Sequence, residues 1–342
     1  MILIDAIYIY DGGGKVLFDL LLDELVQKKV DVFYLVDKRI ENDFKRRGVQ
    51  NVRFLNASLI ERTIFYLVNY NKFNVILCFA NVPPTIPMKG FVFTYFQNVL
   101  FLEKSNPLRG LAKFKLEVKK RIIYALNKNT NNWIVQTHNI QERMMNEWGI
   151  PQKLINVVPL FNPINKHSSL KICDEDKGFN KFLYVSEGHE HKNHLRLFEA
   201  FIEFLNFHPN NKLYVTIGKE CDQLLGKLAS FKCLQIVNLG TLPYDELIQQ
   251  YSDTDIVIYP SLSESFGLGL IEAAQLQIPI IASNLPFVHA IVQPNLVFDP
   301  ESNESILSTL LNYKCILGAK SSSKSENQVD TLINLLINHN EK

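Results

Sequence analysis

Two carboxylates eight residues apart, Glu264 and Glu272, frame a Phe-Gly turn in the stretch Asp255 to Ala282, which reads DIVIYPSLSESFGLGLIEAAQLQIPIIA. Asp255 to Tyr259 is an apolar run suited to a strand buried on both faces. Pro260 to Glu264 is a turn-rich loop, and Phe266 to Gln277 has helical length and periodicity. A helix opening at the C-terminal end of such a strand points unpaired N–H groups and a positive dipole end into the crevice where open α/β sheets bind ligands. An anion is favoured there. Carboxylates beside a phosphate accept from hydroxyls instead, and hydroxyls next to phosphates describe a nucleotide-sugar.

The order Pro260-Ser261, Glu264, Phe266-Gly267-Leu268, Glu272-Ala273, Pro279, Ala282-Ser283 resembles the signature of the GT-B retaining glycosyltransferases (glycosyltransferase group 1, family 4 like), whose mark is two Glu separated by seven residues. The flanking residues carry the specificity; two Glu at that spacing alone are also what a loop Glu capping a helix and a solvated helix Glu would give. The resemblance implies an α/β architecture of two Rossmann-like parallel-sheet domains facing across a cleft. It also implies glycosyl transfer from a nucleotide-sugar to an acceptor hydroxyl with retention, in bacterial surface polysaccharide or glycolipid assembly. Glu272 would hold the ribose, Glu264 the sugar hydroxyls, and Ser265, Phe266, Gly267 and Leu268 the sugar and phosphate. Lys192, within His191-Lys192-Asn193, matches the family's diphosphate-binding Lys, which makes Lys192 and Glu264 the catalytic candidates. Gly13 and Gly14 after the first strand, with Gly218 and Leu242 at later strand ends, complete the donor-binding set. The donor is a co-substrate, and neither metal nor cofactor is required, because a helix N-terminus and Lys192 can stabilise the leaving diphosphate.

Three positions depart from the family pattern. Ser186 or Glu187 stands where an Arg precedes the Lys, Gln97-Asn98 stands where an N-domain His touches the sugar, and an acidic residue near Ala290 is absent. The first departure removes a phosphate ligand and adds a negative charge. The second leaves no N-domain base, which a proton transfer from acceptor to leaving phosphate would excuse. Together they motivate the alternative of a non-catalytic GT-B subunit that binds donor or glycan for a partner enzyme. A GT-B epimerase or phosphorylase is a further alternative.

The 342 residues suit two domains, and a net charge of +1 excludes an overall polyanion-binding balance. Five cysteines without metal-type pairs fit reduced thiols in the cytoplasm. The opening MILIDAIYIYDGGG reads as a strand and glycine turn rather than a signal peptide, and no run approaches the roughly 18 apolar residues of a spanning helix. Any membrane contact would be peripheral, at the inner face.

The chain then alternates strands and helices. Strands are expected near Ile2, Val30, Val52, Val75, Phe91, Trp133 and Ile155, and again near Lys181, Lys212 and Leu234. Gly12 to Gly14 reads as a tight turn and Asn81 to Pro87 as a loop. The polar stretch from Phe161 to Lys177 reads as a linker, giving domains at 1–164 and 165–320 and a last segment, 321–342, that returns to the first domain. In Glu187 to His194, His189, His191 and His194 lack the carboxylate set of a metal site and read as cleft lining. Residues 107–128 place Leu111, Phe114, Val118, Ile122 and Ala125 on one helix face amid Arg109, Lys113, Lys115, Lys119, Lys120, Arg121 and Lys128. Such a helix either lies on an anionic membrane or is an ordinary outer helix with a solvated face; nucleic acid is the poorer partner.

Overall fold

Runs such as Ile2–Ala6, Val75–Cys78 and Ile256–Tyr259 carry no residue that wants water on either face except Asp5, so they form strands covered on both sides. The structure, a computed structural model, describes residues 1–103, 110–164 and 180–341. Arg109, the side chain of Leu111, the linker reading of residues 165–177 and the boundary placed at 164/165 lie outside the described residues. The chain divides into two units, one of Met1–Asn162 with Glu326–Lys342 and one of Pro163–Ser325. Both are Rossmann-like parallel-sheet domains.

Among the described residues the first unit holds β1 (Ile2–Ala6), β2 (Val32–Asp37), β3 (Val52–Leu55), β4 (Val75–Cys78), β5 (Phe91–Tyr95), β6 (Asn132–Val135) and β7 (Ile155–Val157), in the order β3-β2-β1-β4-β5-β6-β7. One sheet face carries Leu3, Ile76 and Val92, covered by Phe65 and Tyr66 of the helix Leu59–Val68. The same face continues to Trp133, which the register sets beside Thr94, and there Leu116 and Ile123 of the helix Gly110–Leu126 cover it. The helix Val329–Asn340 also belongs to this unit, with Leu332 and Leu336 buried and the His339 ring 4.4 Å from Phe91 and 5.1 Å from Phe93.

The glycine turn is placed differently from its sequence reading. Gly12 alone makes the turn, with φ of +62°, and the Lys15 N–H already bonds the Asp11 carbonyl at 3.3 Å, so Gly13 and Gly14 form the first turn of the helix Gly12–Gln27. A Cβ on Gly14 would come within 3.1 Å of Ile9 Cδ1 and 3.2 Å of Gln97 Oε1, which is the packing reason for a glycine there.

A charge the sequence reading passed over lies beneath this loop. Arg62, in the helix Leu59–Val68, is buried and gives Nε to Asp5 Oδ2 at 2.7 Å, Nη1 to the Pro83 carbonyl at 2.8 Å and Nη2 to the Val82 carbonyl at 2.7 Å. The Tyr66 hydroxyl also donates to Asp5. The guanidinium thus fixes the proline-rich loop to the end of β1, and the paired carboxylate satisfies its charge where water is absent.

The second unit holds β8 (Lys181–Tyr184), β9 (Lys212–Val215), β10 (Ile236–Asn238), β11 (Ile256–Tyr259), β12 (Ile280–Ser283), β13 (Val292–Gln293), β14 (Leu296–Phe298) and β15 (Ser322–Ser323). Its main sheet runs β10-β9-β8-β11-β12-β14, and β15 pairs antiparallel with β13 within the same unit. Strand order reverses between β8 and β11, whose register pairs Ile256 with Phe182 and Val257 with Leu183. That reversal is the crevice where an open parallel sheet leaves room for a ligand.

Candidate functional site

The loops leaving β8 and β11 meet at this crevice and are tied together by side chains from both strands. The Tyr184 hydroxyl, at the end of β8, donates to the Lys192 carbonyl at 2.8 Å and lies 2.9 Å from Ser261 Oγ. The Leu262 N–H reaches the His191 carbonyl at 2.8 Å. After a short turn over Glu190–Lys192, Asn193 takes a left-handed conformation, φ +61°, which a small polar residue tolerates. Its amide donates to the carbonyls of Pro260 at 3.2 Å and Pro300 at 2.8 Å, so in the Lys-Asn pair of the sequence motif the Asn clamps the neighbouring loops.

Clamped this way, Lys192 meets Glu264. The Nζ lies 2.8 Å from Oε1 and 2.9 Å from Oε2, and Tyr259 at the end of β11 donates to Oε1 at 3.0 Å. Burial pushes the Glu264 carboxyl up, but the Lys192 ammonium outweighs burial and holds it below the usual carboxylate range. The site therefore presents a fixed carboxylate and a fixed ammonium side by side.

Gly267 sets the entry to the next helix. With φ of +86° it is left-handed, and no side chain caps the start of Leu268–Gln275, one turn shorter than the periodicity from Phe266 to Gln277 indicated. Its N-terminal N–H groups are thus available to an anion by geometry and dipole alike. Gly269 is held small, since a Cβ would stand 3.2 Å from the Tyr251 hydroxyl and 3.3 Å from the Tyr259 ring. On the same helix Glu272 is buried and accepts from Tyr251 at 2.8 Å. Burial pushes its carboxyl up to about 7, and the Tyr251 hydroxyl offsets only part of that. A carboxyl poised in this way is ionised most readily when a ligand brings it further donors.

The remaining candidates distribute as follows. Ser265 is half-buried and Phe266 buried between Glu264 and Gly267. Gly218 follows β9 and Leu242, half-buried, follows β10, at the same end of the sheet. Gly13 and Gly14 belong to the first unit. Ser186 is buried, its N–H on Thr216 Oγ1 at 3.0 Å, while Glu187 pairs with His189 at 3.1 Å. The negative charge expected of Glu187 is thereby answered within its own loop. Hydrogen bonding to each other lowers the Glu187 carboxyl and raises the His189 imidazole.

His191 lies 5.8 Å from His189, ring over ring, and burial brings its pKa down to about 4. His194 is buried against the Tyr184 ring at 4.8 Å with neither ring nitrogen hydrogen-bonded, and burial brings it down to about 3. Among the described residues no group of three metal-ligating side chains converges anywhere. Sequence reasoning missed Tyr184, Tyr251, Tyr259 and Asn193. The only signal for the first and third was an aromatic hydroxyl closing each of two apolar strands.

Residues 166–313 match the model of the glycosyl transferases group 1 family. The chain is 21% identical over 190 residues to an O-antigen chain mannosyltransferase of Salmonella typhimurium, covering 54% of this chain and 51% of that protein. It is 27% identical over 187 residues to an alpha-monoglucosyldiacylglycerol synthase of Acholeplasma laidlawii, covering 50% of this chain and 47% of that protein. The chain thus spans about half the length of these curated relatives. Among solved structures it resembles a sucrose-phosphate synthase from Thermosynechococcus elongatus, with a TM-score of 0.68 at 15% identity over 92% of this chain and 89% of that one. WaaG, a glycosyltransferase involved in lipopolysaccharide biosynthesis, also gives 0.68, at 13% identity over 91% and 90% of the two chains. At such identities these likenesses establish the GT-B fold.

Proposed function

From the membership of residues 166–313 in the glycosyl transferases group 1 and the GT-B fold around them, we propose that the chain transfers a glycosyl group from a nucleotide-sugar to an acceptor hydroxyl with retention at the anomeric carbon. The acceptor is a growing surface glycan or a glycolipid of a bacterial envelope, as the names of the O-antigen and diacylglycerol relatives suggest. The observation that carries the reading is the pairing of Lys192 with Glu264 beside the uncapped start of the Leu268–Gln275 helix.

In this reading the donor diphosphate lies at the helix start and draws Lys192 from one carboxylate oxygen. Glu264 turns the freed oxygen to the sugar hydroxyls and Glu272 accepts from the ribose hydroxyls. Ser265 to Leu268 supply backbone groups to sugar and phosphate. The bond from the anomeric carbon to the diphosphate oxygen breaks as the acceptor oxygen bonds that carbon, and the acceptor proton passes to the leaving phosphate. Negative charge grows on the diphosphate during this step, so Lys192 and the helix start bind the transition state more tightly than the donor.

The test is a thermal-shift screen of nucleotide-sugars, where a ligand at about 100 times its Kd adds roughly 2.7 kcal/mol. Product analysis with the selected donor and a glycan or lipid-linked acceptor follows. A donor that binds but is never turned over, with any acceptor, would reduce the chain to a binding subunit, and an inverted product would remove retention.

A further inference from the structure

The two carboxylates of the second unit's crevice are held differently. Glu264 is paired with the Lys192 ammonium at 2.8 and 2.9 Å, and the Tyr259 hydroxyl at 3.0 Å only adds to that pairing. Among the described residues Glu272 has no cation. Its Oε2 accepts from the Tyr251 hydroxyl at 2.8 Å, and its Oε1 accepts no hydrogen bond from any described residue. Besides burial, the Tyr251 phenol is the one described titratable group that acts on the Glu272 carboxyl. A single hydroxyl therefore decides both where this carboxylate points and how readily it ionises.

Tyr251 comes from the helix Tyr244–Ser252 and is wholly buried. Burial lifts the phenol well above its ordinary titration range, so it stays a donor across the neutral range. Its oxygen lies against the first turn of the helix Leu268–Gln275, where the Gly269 carbonyl is a second, longer acceptor at 3.3 Å. Gly269 admits it there, since a Cβ would stand 3.2 Å from that oxygen. The ring alone would pack as a phenylalanine does. What the hydroxyl adds is its short contact with Glu272, which spans 21 positions and ties two helices at the carboxylate.

We propose that Tyr251 is a positioning residue for ribose recognition: its hydroxyl holds Oε2 of Glu272 so that Oε1 faces the ribose hydroxyls of the donor nucleotide, and it thereby sets the preference for ribonucleotide over deoxyribonucleotide donors. The assignment rests on Glu272 being the ribose acceptor in the proposed function. A carboxylate free to rotate loses rotamer freedom when it binds, whereas one fixed from behind is already aimed. A ribose hydroxyl then completes on Oε1 the stabilisation of charge that Tyr251 begins on Oε2.

The experiment is isothermal titration of the full chain with uridine, guanosine, adenosine and cytidine diphosphates, each beside its counterpart lacking both ribose hydroxyls. The proteins are the wild type, Tyr251→Phe, Glu272→Gln and the double variant. Tyr251→Phe should weaken the ribonucleotide about tenfold, the size of one charge-assisted hydrogen bond, and leave its hydroxyl-free counterpart within about twofold. In the Glu272→Gln background the same change should cost about threefold or less. Ribonucleotide affinity should rise with pH in the wild type as Glu272 ionises, and Tyr251→Phe should move that rise to higher pH, because the carboxylate has lost its donor. Should Tyr251→Phe fail to fold, Gly269→Ala, which keeps the phenol and crowds it away from Glu272, should show the same selective loss. Equal weakening of both nucleotide forms, an unmoved pH profile, or an undiminished loss in the Glu272→Gln background overturns the assignment and leaves the proposed function standing. A wild type that binds none of these nucleotides overturns the reading of the site and the assignment with it.

Discussion

Lys192 caps both oxygens of Glu264, at 2.8 and 2.9 Å, across two loops that leave neighbouring strands on either side of the sheet's reversal point. The carboxyl is thereby kept charged at a place where burial would otherwise discharge it. In the proposed function a donor exchanges part of this pairing for its own contacts, which would tie affinity and turnover to one ion pair.

Removing the cation tests that tie. Lys192→Ala should lower kcat about 100-fold or more, and Lys192→Arg should recover only part, because a planar fork does not replace a point charge. The Glu264 carboxyl, depressed in the native state, contributes stability that is present above its unfolded pKa of about 4.3 and is lost as pH falls through the lower folded value. In Lys192→Ala burial becomes the dominant influence and the carboxyl rises, so stability should instead fall as pH climbs from about 4 toward neutrality. Adding Glu264→Gln should remove that dependence without restoring turnover. Steady-state kinetics and melting curves against pH separate the two effects.

Glu272 titrates the other way. Its folded pKa of about 7 lies above the unfolded carboxylate value, so the native state gains stability below about pH 4.3 that disappears as pH rises through 7. Glu272→Gln should therefore flatten the melting temperature over that interval, the difference being on the order of 4 kcal/mol. Ribose hydroxyls donating to the carboxylate would favour its ionised form. Calorimetry at pH 6.5 in buffers of different ionisation enthalpy should then show proton release on binding a nucleoside diphosphate, and none for its deoxyribose counterpart if only the missing hydroxyl matters.

The Glu187–His189 pair is half-exposed, in the loop between β8 and Lys192. Glu187→Arg removes the acceptor that raises the His189 imidazole and adds a cation near Lys192. Donor affinity should rise several-fold at low salt and lose the gain as salt screens it. An unchanged Kd in isothermal titration would place this side chain away from the phosphates.

Arg62 is the stability test for the first unit. Arg62→Met leaves the Asp5 carboxylate buried without its cation and should cost about 3 to 5 kcal/mol in urea unfolding. Arg62→Met with Asp5→Leu should recover most of the loss if pairing, rather than the loop carbonyls on Val82 and Pro83, is what the guanidinium supplies.

The sequence disclosed the strands and the polar ends of the loops because apolar runs such as Ile256–Tyr259 and punctuation such as Pro260 and Gly267 are local signals. Glu264 was visible in the loop that follows such a strand and Glu272 in the helix after it, while Lys192 was visible through its motif. What escaped was set by contacts distant in sequence. Tyr251 reaches Glu272 across 21 positions and Tyr184 reaches Ser261 across 77, and no spacing rule links such pairs. Periodicity also finds a helix stripe without saying which way it faces. Phe114 and Val118 of that stripe stand in solvent, while the charged Arg62 is buried.

The first unit is closed by a helix that the ribosome makes only after the whole of the second. Until Val329–Asn340 emerges, Phe91 and Phe93 lack the His339 ring, and the pocket for Leu332 and Leu336 stands open to water. Pro163–Ser325 precedes that helix out of the tunnel with every strand of its own sheet in hand. During synthesis the second unit can complete itself while the first, begun earlier, waits on residues beyond 325, reversing the usual order in which the earlier domain finishes first. A nascent chain stalled just short of residue 326 would hold a finished second unit and a protease-sensitive first one.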